Sequence, residues 1–471
     1  MKKFLSLALV LVMILSVLAL TACGEDKTND GRIEVVFYHT MGANLRAVLD
    51  EYVKEFEALY PHIKITHSQE GGYDDVRDKI KTQLTVGNQP NIAYCYPDHV
   101  AMYNLAGAVV TLDDYISSTK EITRADGTTE ILGLTAEQIA DFIPAYYEEG
   151  RQFGDGLMYT LPMSKSTEVL YYNKTFFDEH DLTPPTTWDE MEALCAKILE
   201  IDPGCIPLGY DSESNWFITM CEQLGSPYTS AQSGNHFLFN NDTNKAFVKR
   251  FADWHEKGYV TTQEIFGSYT SGLFVEQGVN EDGTPKQRSY MSIGSSAGAT
   301  HQRPAKVNGE YPFEVGITSI PQANADNKKV ISQGPSLCMF YDKDPAVVEA
   351  TWLFMKFLTT NVSFQAEFGE ASGYVPVLKS VANDPLYADF LASADGGEFI
   401  AALSAKVCLE QADYYYTSPA FNGSSDARDA VGELLQAAMV NWKTTPAADR
   451  DAMIDKLFSN AVADCKGAIG E

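Results

Sequence analysis

The chain has 471 residues, with 64 acidic side chains against 35 basic ones and a formal net charge of −29. This excess of negative charge repels nucleic acids and anionic lipid headgroups, so we expect no nucleic-acid partner. Hydrophobic residues make up 45% of the chain, and its length exceeds what one hydrophobic core organises, so we expect two folded domains.

The amino terminus has the pattern of a secretory signal peptide over residues 1–22. Lys2 and Lys3 precede an apolar run at residues 4–20. A helix that crosses a membrane needs about 20 apolar residues and flanks that stop transfer. This run is shorter and no basic stop follows it, so we expect cleavage and export.

The letters LTAC at 20–23 resemble a bacterial lipobox, in which the bond before the cysteine is cut and the cysteine is diacylated. The alternative is an ordinary signal peptide with a chance cysteine. We expect Cys23 to carry lipid, with residues 23–31 as a tether, and the protein to be anchored on the outer face of the cell membrane. Cleavage leaves 33 basic and 64 acidic residues, a formal charge of −31, so contact with the membrane depends on the lipid.

The other cysteines favour buried free thiols over a disulfide framework or a zinc site. Their number is odd, none has C-x-x-C spacing, and most lie in apolar stretches. A pair between Cys195 and Cys205 stays open. The full set is Cys95, Cys195, Cys205, Cys221, Cys338, Cys408 and Cys465.

Strands and helices alternate at the start of the expected mature chain. Residues 33–38 are rich in strand formers, and ANLRAVLDEYVKEFEALY then has apolar residues at helical spacing until Pro61. IKITH predicts a second strand, residues 73–86 a second helix, and residues 91–96 a third strand. This βαβαβ order predicts a doubly wound parallel sheet. Ligands collect beyond the carboxyl ends of such strands, which in this chain are HTMG, EGGYDD and PDHV.

The middle of the chain is more helical, and strands return after it. TTWDEMEALCAKIL opens with a capping box of Thr187 and Glu190. RSYMSIGS, FEVGITSIP and SLCMFY predict strands, and helices are expected at 345–358, at 426–442 and up to Cys465. We interpret the returning strands as a return to the first domain, which gives two lobes and a cleft that can close on a ligand.

Lobe boundaries follow from this interpretation. The N-terminal lobe is expected to comprise residues 32–148 and 293–344. The C-terminal lobe is expected to comprise residues 149–292 and 345–471.

An enzyme is not expected from the motifs. GSSAG at 294–298 matches the G-x-S-x-G elbow of serine hydrolases, which needs a histidine after a downstream acid. His301 is the only histidine beyond Ser296 and lies in the same local segment, so no triad assembles in that order. With 64 acids, a glycosidase pair cannot be recognised. The phosphate loop, H-E-x-x-H and EF-hand patterns are absent from the sequence, so we expect no cofactor and no metal.

Four segments resemble the extracellular solute-binding proteins of ABC importers, the first family, which includes maltose- and glycerol-phosphate-binding proteins. They are FYHTMGANLRAVLDEYVKEFEALYPHIKI, LTVGNQPNIAYCYPDH, LPMSKSTEVLYYNKTFFDEHDLTPPTTWDEM and EASGYVPV. The third is the most specific, and the resemblance is closest to the glycerol-phosphate branch. It implies an α/β, two-lobe periplasmic-binding-protein fold of type II, each lobe a sheet flanked by helices, hinged around a ligand cleft. It also implies delivery of a small solute to ABC permease subunits, and we expect a monomer.

The resemblance also implies which residues touch the solute. Tyr73 matches a ligand-contacting tyrosine, with turn packing as its alternative role. Asp98 lies next to the position of the family's glutamate, where this chain has Pro97. The other matched positions are Ser166, Ser296, Tyr374 and Gly334, the last of which would let backbone approach the solute closely.

Two further candidates concern the cargo. Trp216 has a ring face suited to the C–H groups of a sugar, with core packing as the alternative. Glycerol-phosphate receptors place an arginine in a segment of the form G-L-R-L-G-N, whereas SPAFNGSSDARD in this chain puts Phe421 in that place beside Asn422. The ring of Phe421 and the amide of Asn422 suit a neutral sugar, because the amide can hydrogen-bond to a sugar hydroxyl.

A forked guanidinium is the side chain best suited to hold a phosphate. Lys165 is the cation near the candidate positions, and Arg428 lies further on, although a shift of a few residues in this short alignment would bring it in. We therefore expect a neutral mono- or oligosaccharide. The alternatives are a glycerol-phosphate-type receptor and, from a different class, a surface-anchored carbohydrate hydrolase.

Overall fold

A computed structural model describes residues 31–232, 234–396 and 399–471. The predicted signal peptide and the lipid attachment at Cys23 lie outside these residues. Within them, no helix combines the length and apolar character needed to cross a membrane.

The strands follow one another along the chain from Ile33 to Tyr416. They are β1 (Ile33–His39), β2 (Ile63–Gln69), β3 (Ile92–Cys95), β4 (Glu121–Thr123), β5 (Thr129–Ile131), β6 (Leu161–Pro162), β7 (Glu168–Asn173), β8 (Leu208–Tyr210), β9 (Val260–Thr262), β10 (Met291–Ser295), β11 (Val315–Ser319), β12 (Val330–Ile331), β13 (Ser336–Met339) and β14 (Tyr415–Tyr416).

The α-helices are numbered in the same direction. They are α1 (Ala43–Leu59), α2 (Tyr73–Leu84), α3 (Pro97–Asn104), α4 (Asp113–Ile116), α5 (Ala136–Asp141), α6 (Pro144–Glu148), α7 (Lys174–Glu179), α8 (Trp188–Ile201), α9 (Glu213–Leu224), α10 (Asp242–Glu256), α11 (Gln263–Phe266), α12 (Ser271–Phe274), α13 (Pro345–Thr360), α14 (Val362–Ser372), α15 (Pro385–Ala392), α16 (Ile400–Glu410), α17 (Ser424–Trp442) and α18 (Arg450–Ala468). Short 3₁₀ turns lie at Glu149–Arg151, Ser296–Gln302, Lys379–Asn383, Ser393–Gly396, Ala412–Tyr414 and Ala447–Asp449.

The first sheet has the order β2-β1-β3-β13-β6. β1 is parallel to β2 and to β3, whereas β13 is antiparallel to β3 and to β6. Val35 and Phe37 of β1 are fully buried, and Leu49 and Phe56 of α1 join them in one core. The predicted βαβαβ start of the chain is confirmed, and this sheet with its helices is called the first lobe.

The second sheet has the order β11-β7-β10-β8-β9. β7 pairs antiparallel with both β10 and β11, and β8 is parallel to β9 and β10. Helix α8 begins with the predicted capping box, because Thr187 Oγ1 accepts the Glu190 backbone N–H at 3.2 Å. This sheet with its helices is called the second lobe.

The strand pairing corrects the predicted lobe boundaries at three places. Residues 293–344 were expected in the N-terminal lobe. However, β10 and β11, which lie in this range or at its edge, pair with β7 of the second sheet. Of these three returning strands, only β13 joins the first sheet. β6 lies beyond residue 149 yet belongs to the first sheet, and α13 and α14, beyond residue 345, pack against β1 and α1. Strand character alone does not say which sheet a returning strand joins, because pairing partners are distant in sequence.

Three segments cross between the lobes side by side, at 163–167, 332–335 and 373–378, and together they are called the hinge. Backbone hydrogen bonds join Lys165 with Val375 at 3.0 and 2.6 Å, and Ser166 with Gln333 at 2.7 and 2.9 Å. These crossings agree with the predicted two lobes around a cleft. The seven cysteines expected to be free thiols are all unpaired and buried, so Cys195 and Cys205 are not joined.

Candidate functional site

Two cavities adjoin at the hinge. The outer cavity has a volume of about 670 Å³, and apart from Gln333 of the hinge its wall comes from the second lobe, including Glu168, Asp211 and Gln302. The inner chamber has a volume of about 80 Å³ and lies between the lobes, with Asp98 on one side and Tyr228 on the other. Gln333 and Arg428 lie in the walls of both cavities, so the two spaces are neighbours.

A buried hydrogen-bond network separates them. Glu168 accepts the Tyr210 hydroxyl at 2.6 Å and the Asn215 amide at 2.9 Å, and the same amide nitrogen donates to Gln333 Oε1 at 2.9 Å. Arg428 donates to Asn215 Oδ1. Burial raises the pKa of Glu168 to about 7, against the opposing effect of these hydrogen bonds and of Arg428.

The turn before α9 positions part of this network. Ser212 has a φ of 73°, in the left-handed region that few residues other than glycine adopt. Its side chain caps α9 by accepting the Asn215 backbone N–H at 3.2 Å. The cap fixes Asn215 at the helix start, where its amide reaches both Glu168 and Gln333.

Two side chains in the wall of the outer cavity, Asp211 and Gln302, can accept more hydrogen bonds than they receive from the described residues. Asp211 Oδ1 accepts both the backbone N–H and the hydroxyl of Thr270 at 2.8 Å, and both bonds fall on this one oxygen. Burial raises the pKa of Asp211. Gln302 is 3% exposed, and its Oε1 has no hydrogen-bond partner among the described residues. This wall is ready to accept hydrogen bonds from hydroxyl groups.

A group of tyrosines links the first lobe to the hinge, and one of them, Tyr96, lines the inner chamber. Tyr73, the first residue of α2, stacks on Tyr96 with ring centroids 4.4 Å apart. Its hydroxyl lies 3.4 Å from that of Tyr374. Burial raises the pKa of all three phenols. Neutral aromatic rings with hydroxyl tips are suited to the C–H faces and hydroxyls of a sugar.

Lys165 of the hinge belongs to a buried ion pair whose charges are paired within the protein. Lys165 is fully buried and forms an ion pair with Glu149, and its Nζ also donates to Ser336 Oγ at 3.0 Å and to the Gly334 carbonyl at 3.3 Å. Ser336 in turn donates to Glu149 at 2.9 Å. Lys165 is therefore engaged by the protein. Among the described residues that line the two cavities, Arg428 carries the one full positive charge.

Residues 51–392 match the model of the family described as bacterial extracellular solute-binding proteins. The chain belongs to this family. Members of the family are solute-binding receptors, and binding a solute is the function of this one.

Relatives share the fold at low sequence identity. The maltotriose-binding protein of Pyrococcus abyssi is 22% identical over 370 residues, 77% of this chain and 69% of that protein. The sn-glycerol-3-phosphate-binding periplasmic protein of Pectobacterium atrosepticum is 22% identical over 373 residues, 76% of each chain. The crystal structure of UgpB from Mycobacterium tuberculosis with glycerophosphocholine has a TM-score of 0.69 at 17% identity, and covers 94% of this chain and 99% of that one. The predicted two-lobe fold is confirmed.

Of three residues predicted from the family, Asp98 lies in the wall of the inner chamber. Tyr73 and Tyr374 line neither cavity; they meet through their hydroxyls, and Tyr73 stacks on Tyr96, which does line the inner chamber. Two of the three stand at junctions predicted from strand order, since Tyr73 follows β2 and Asp98 follows β3.

Ser166, Gly334 and Ser296 hold the hinge together instead. Ser166 pairs with Gln333 through its backbone, and Ser296 is fully buried with its Oγ accepting the Thr167 backbone N–H at 3.2 Å. Gly334 has a φ of 99°, and a Cβ there would lie 2.8 Å from the Ser164 carbonyl. The close approach that needs this glycine is therefore between two crossing segments, not between backbone and solute.

The two aromatic predictions about the cargo are corrected. Trp216 is fully buried and stacks on Tyr210 at 4.6 Å and on Phe251 at 4.0 Å, so it packs in the core. Phe421 is buried against His236 at 4.8 Å. Its neighbour Asn422 is exposed and lies outside the walls of both cavities.

Sequence reasoning missed the polar residues that line the outer cavity. Glu168 lies within the segment that carries the family resemblance, and an acid at the start of a buried strand was a usable signal. Asp211 and Asn215 belong to the stretch in which only Trp216 drew attention. Arg428 lies on the predicted helix, α17, but one sequence does not show which way a helix faces. The missed residues are Glu168, Asp211, Asn215, Gln302, Gln333 and Arg428.

Proposed function

We propose that this solute-binding protein captures a neutral mono- or oligosaccharide in the outer cavity and delivers it to an ABC permease. The observation that supports this proposal is the pair of acceptors with free capacity, Asp211 and Gln302, in a cavity wall that also includes the ring of Tyr269. Carboxylate and amide oxygens accept hydrogen bonds from sugar hydroxyls, and aromatic rings cover the C–H faces. The relatives named for maltotriose binding are in keeping with this substrate class.

Charge argues against a phosphate ester as the preferred cargo. A phosphate dianion has no hydrogen to donate to Asp211 or to Gln302. The acids Glu168 and Asp211 lie in the wall of the outer cavity, and Asp98 lies in the wall of the adjoining inner chamber. Arg428 could oppose this repulsion, but it already donates to Asn215. A buried dianion needs paired charge-assisted donors, so a neutral solute fits this wall better.

Titration calorimetry against two ligand classes tests the cargo. We expect a saccharide from a panel of mono-, di- and oligosaccharides to bind, and glycerol 3-phosphate to bind weakly at best. A saccharide at about 100 times its Kd adds roughly 2.7 kcal/mol to the free energy of unfolding, which a thermal-shift screen detects first. Tight binding of glycerol 3-phosphate that Arg428→Ala abolishes would overturn the choice of a neutral cargo.

Binding rather than turnover is the proposed mechanism. Closure of the lobes about the hinge shifts the population toward the form that the permease recognises. A bound saccharide is expected to reduce the radius of gyration in solution scattering and to be recovered unchanged. Release of smaller sugars from an oligosaccharide without a permease would support the hydrolase alternative instead.

We also propose that the protein is an exported monomer held at the membrane by lipid on Cys23. The lipobox-like LTAC and the family's extracellular role support this. Cys23→Ala is expected to leave the protein uncut or released from membranes, as judged by fractionation. A variant that is cleaved normally and still partitions with membranes would show that the anchor lies elsewhere.

A further inference from the structure

The inner chamber adjoins the outer cavity and has both lobes in its wall. The first lobe contributes Tyr96 and Asp98, the second contributes Tyr228 and Arg428, and the hinge contributes Ser332. Its 80 Å³ has room for about five to eight water-sized groups. That is less than a substituted hexose ring occupies, and it matches an acyclic polyol of three or four carbons.

Three residues in this wall carry buried hydroxyl oxygens without a hydrogen-bond partner among the described residues. They belong to Tyr228, Thr229 and Ser332. Tyr228 and Ser332 are each 6% exposed. Unpaired buried hydroxyls also occur elsewhere in the described chain, as at Tyr387, but these three converge on the wall of one cavity, where a solute can hydrogen-bond to them.

The charges of the chamber select against an anion. Asp98 and Glu149 lie in its wall, and Glu149 is engaged by Lys165 and Ser336. Arg428 opposes them but donates to Asn215. Hydroxyl groups can both donate and accept, so they suit Asp98 as well as the three unpaired hydroxyls, whereas a phosphate could only accept.

The chamber and the outer cavity can hold parts of one molecule. Both include Gln333 and Arg428 in their walls, and the hydrogen bonds from Asn215 to Gln333 and from Arg428 to Asn215 lie at their boundary. Side-chain hydrogen bonds can exchange for bonds to a ligand without a change of fold. A solute whose ring lies in the outer cavity can therefore extend a short arm past this boundary.

We propose that the inner chamber is a subsite for an uncharged three- or four-carbon polyol group, and that the preferred solute is a saccharide bearing such an arm. The inference rests on the proposed capture of a neutral saccharide. Tyr228, Thr229 and Ser332 hydrogen-bond the arm, and Asp98 accepts from one of its hydroxyls.

Matched pairs of ligands and variants test this subsite. The ligands are glycosylglycerols of glucose, galactose and mannose, each paired with the methyl glycoside of the same sugar, measured by calorimetry on the full-length mature chain. The variants Tyr228→Phe, Thr229→Val and Ser332→Ala each remove one hydroxyl and little volume. Their controls remove buried, unpartnered hydroxyls outside both cavity walls, and are Tyr387→Phe, Thr262→Val and Ser292→Ala.

At least one glycosylglycerol is expected to bind the wild type more tightly than its methyl glycoside. Each chamber variant should weaken that ligand about two- to tenfold and leave the methyl glycoside unchanged, as loss of one hydrogen bond predicts. The controls should change neither. Thermal melts without ligand confirm that the variants fold.

Two results would overturn the subsite. One is a wild type that binds no glycosylglycerol better than its methyl partner, which would make the chamber a place for ordered water only. The other is a set of chamber variants that behave like their controls. Failure of the proposed function is distinct, because then no saccharide, with or without the arm, would bind.

Discussion

The hinge and the outer cavity both bury charged side chains, but they differ in how completely those groups are hydrogen-bonded. At the hinge, Lys165 and the adjoining Glu149 and Ser336 form a closed set in which each group has partners. In the outer cavity, Gln302 Oε1 has no partner among the described residues, and Asp211 receives both bonds from Thr270 on one oxygen. We infer that the satisfied groups of this ion pair hold the lobes in place and that the unsatisfied groups in the cavity wall recognise solute.

Breaking the hinge ion pair should have the largest effect on stability. Lys165→Met leaves the buried Glu149 carboxylate without its cation, and we expect a loss of about 3–5 kcal/mol in the free energy of unfolding. Urea unfolding at neutral pH measures it. Lys120→Met, which removes the partly exposed partner of Glu349, is the control and should cost at most about 1 kcal/mol.

The double variant Lys165→Met with Glu149→Leu sharpens this result. Removing both charges eliminates the uncompensated carboxylate, so most of the lost stability should return. A double variant as unstable as Lys165→Met alone would mean that packing or the Gly334 contact, rather than charge, is what Lys165 supplies.

The sequence predicted some residues of the hinge and the cavities but not others. Strand order predicted the places of Tyr73 and Asp98, because the carboxyl ends of parallel strands meet at one edge of a sheet. It could not separate hinge from site within SKSTE, where Lys165 and Ser166 belong to the hinge and Glu168 faces the outer cavity. Alternation along a strand and the pairing of distant segments decide that assignment, and a single sequence contains neither.

Glu168, in the wall of the outer cavity, should make the free energy of unfolding depend on pH. Its pKa is about 7 in the folded protein, above the ordinary 4.5, so between these pH values the folded state keeps a proton that the unfolded chain loses. Its contribution to stability is thus present below pH 4.5 and is lost as the pH rises through about 7, a change of about 3 kcal/mol.

Glu168→Gln isolates this contribution, because an amide keeps an acceptor for Tyr210 and does not titrate. Between pH 4.5 and 7.5, the wild type should lose stability more steeply than the variant in parallel urea titrations. Equal slopes would mean that Glu168 keeps its charge throughout this range.

Asp211→Asn should weaken solute binding with little effect on folding. The amide retains an oxygen for the two bonds from Thr270 and loses the charged acceptor offered to a solute hydroxyl. We expect about a tenfold loss of saccharide affinity by calorimetry. Glu222→Gln is the matched control, since burial also raises the pKa of that carboxyl but Glu222 lies outside both cavity walls. A tenfold loss in the control as well would point to a general effect of net charge.

The smallest effect is expected from removing the Tyr374 hydroxyl alone. Tyr374 and Tyr73 approach through hydroxyls 3.4 Å apart, which is too long for a strong hydrogen bond. Tyr374→Phe should therefore change saccharide affinity less than about threefold, whereas Tyr374→Ala, which removes the ring, should cost about tenfold or more. If Tyr374→Phe weakens binding as much as Tyr374→Ala, the hydroxyl and not the ring contacts the solute. The aromatic side would then recognise hydroxyls in the same way as Asp211 and Gln302.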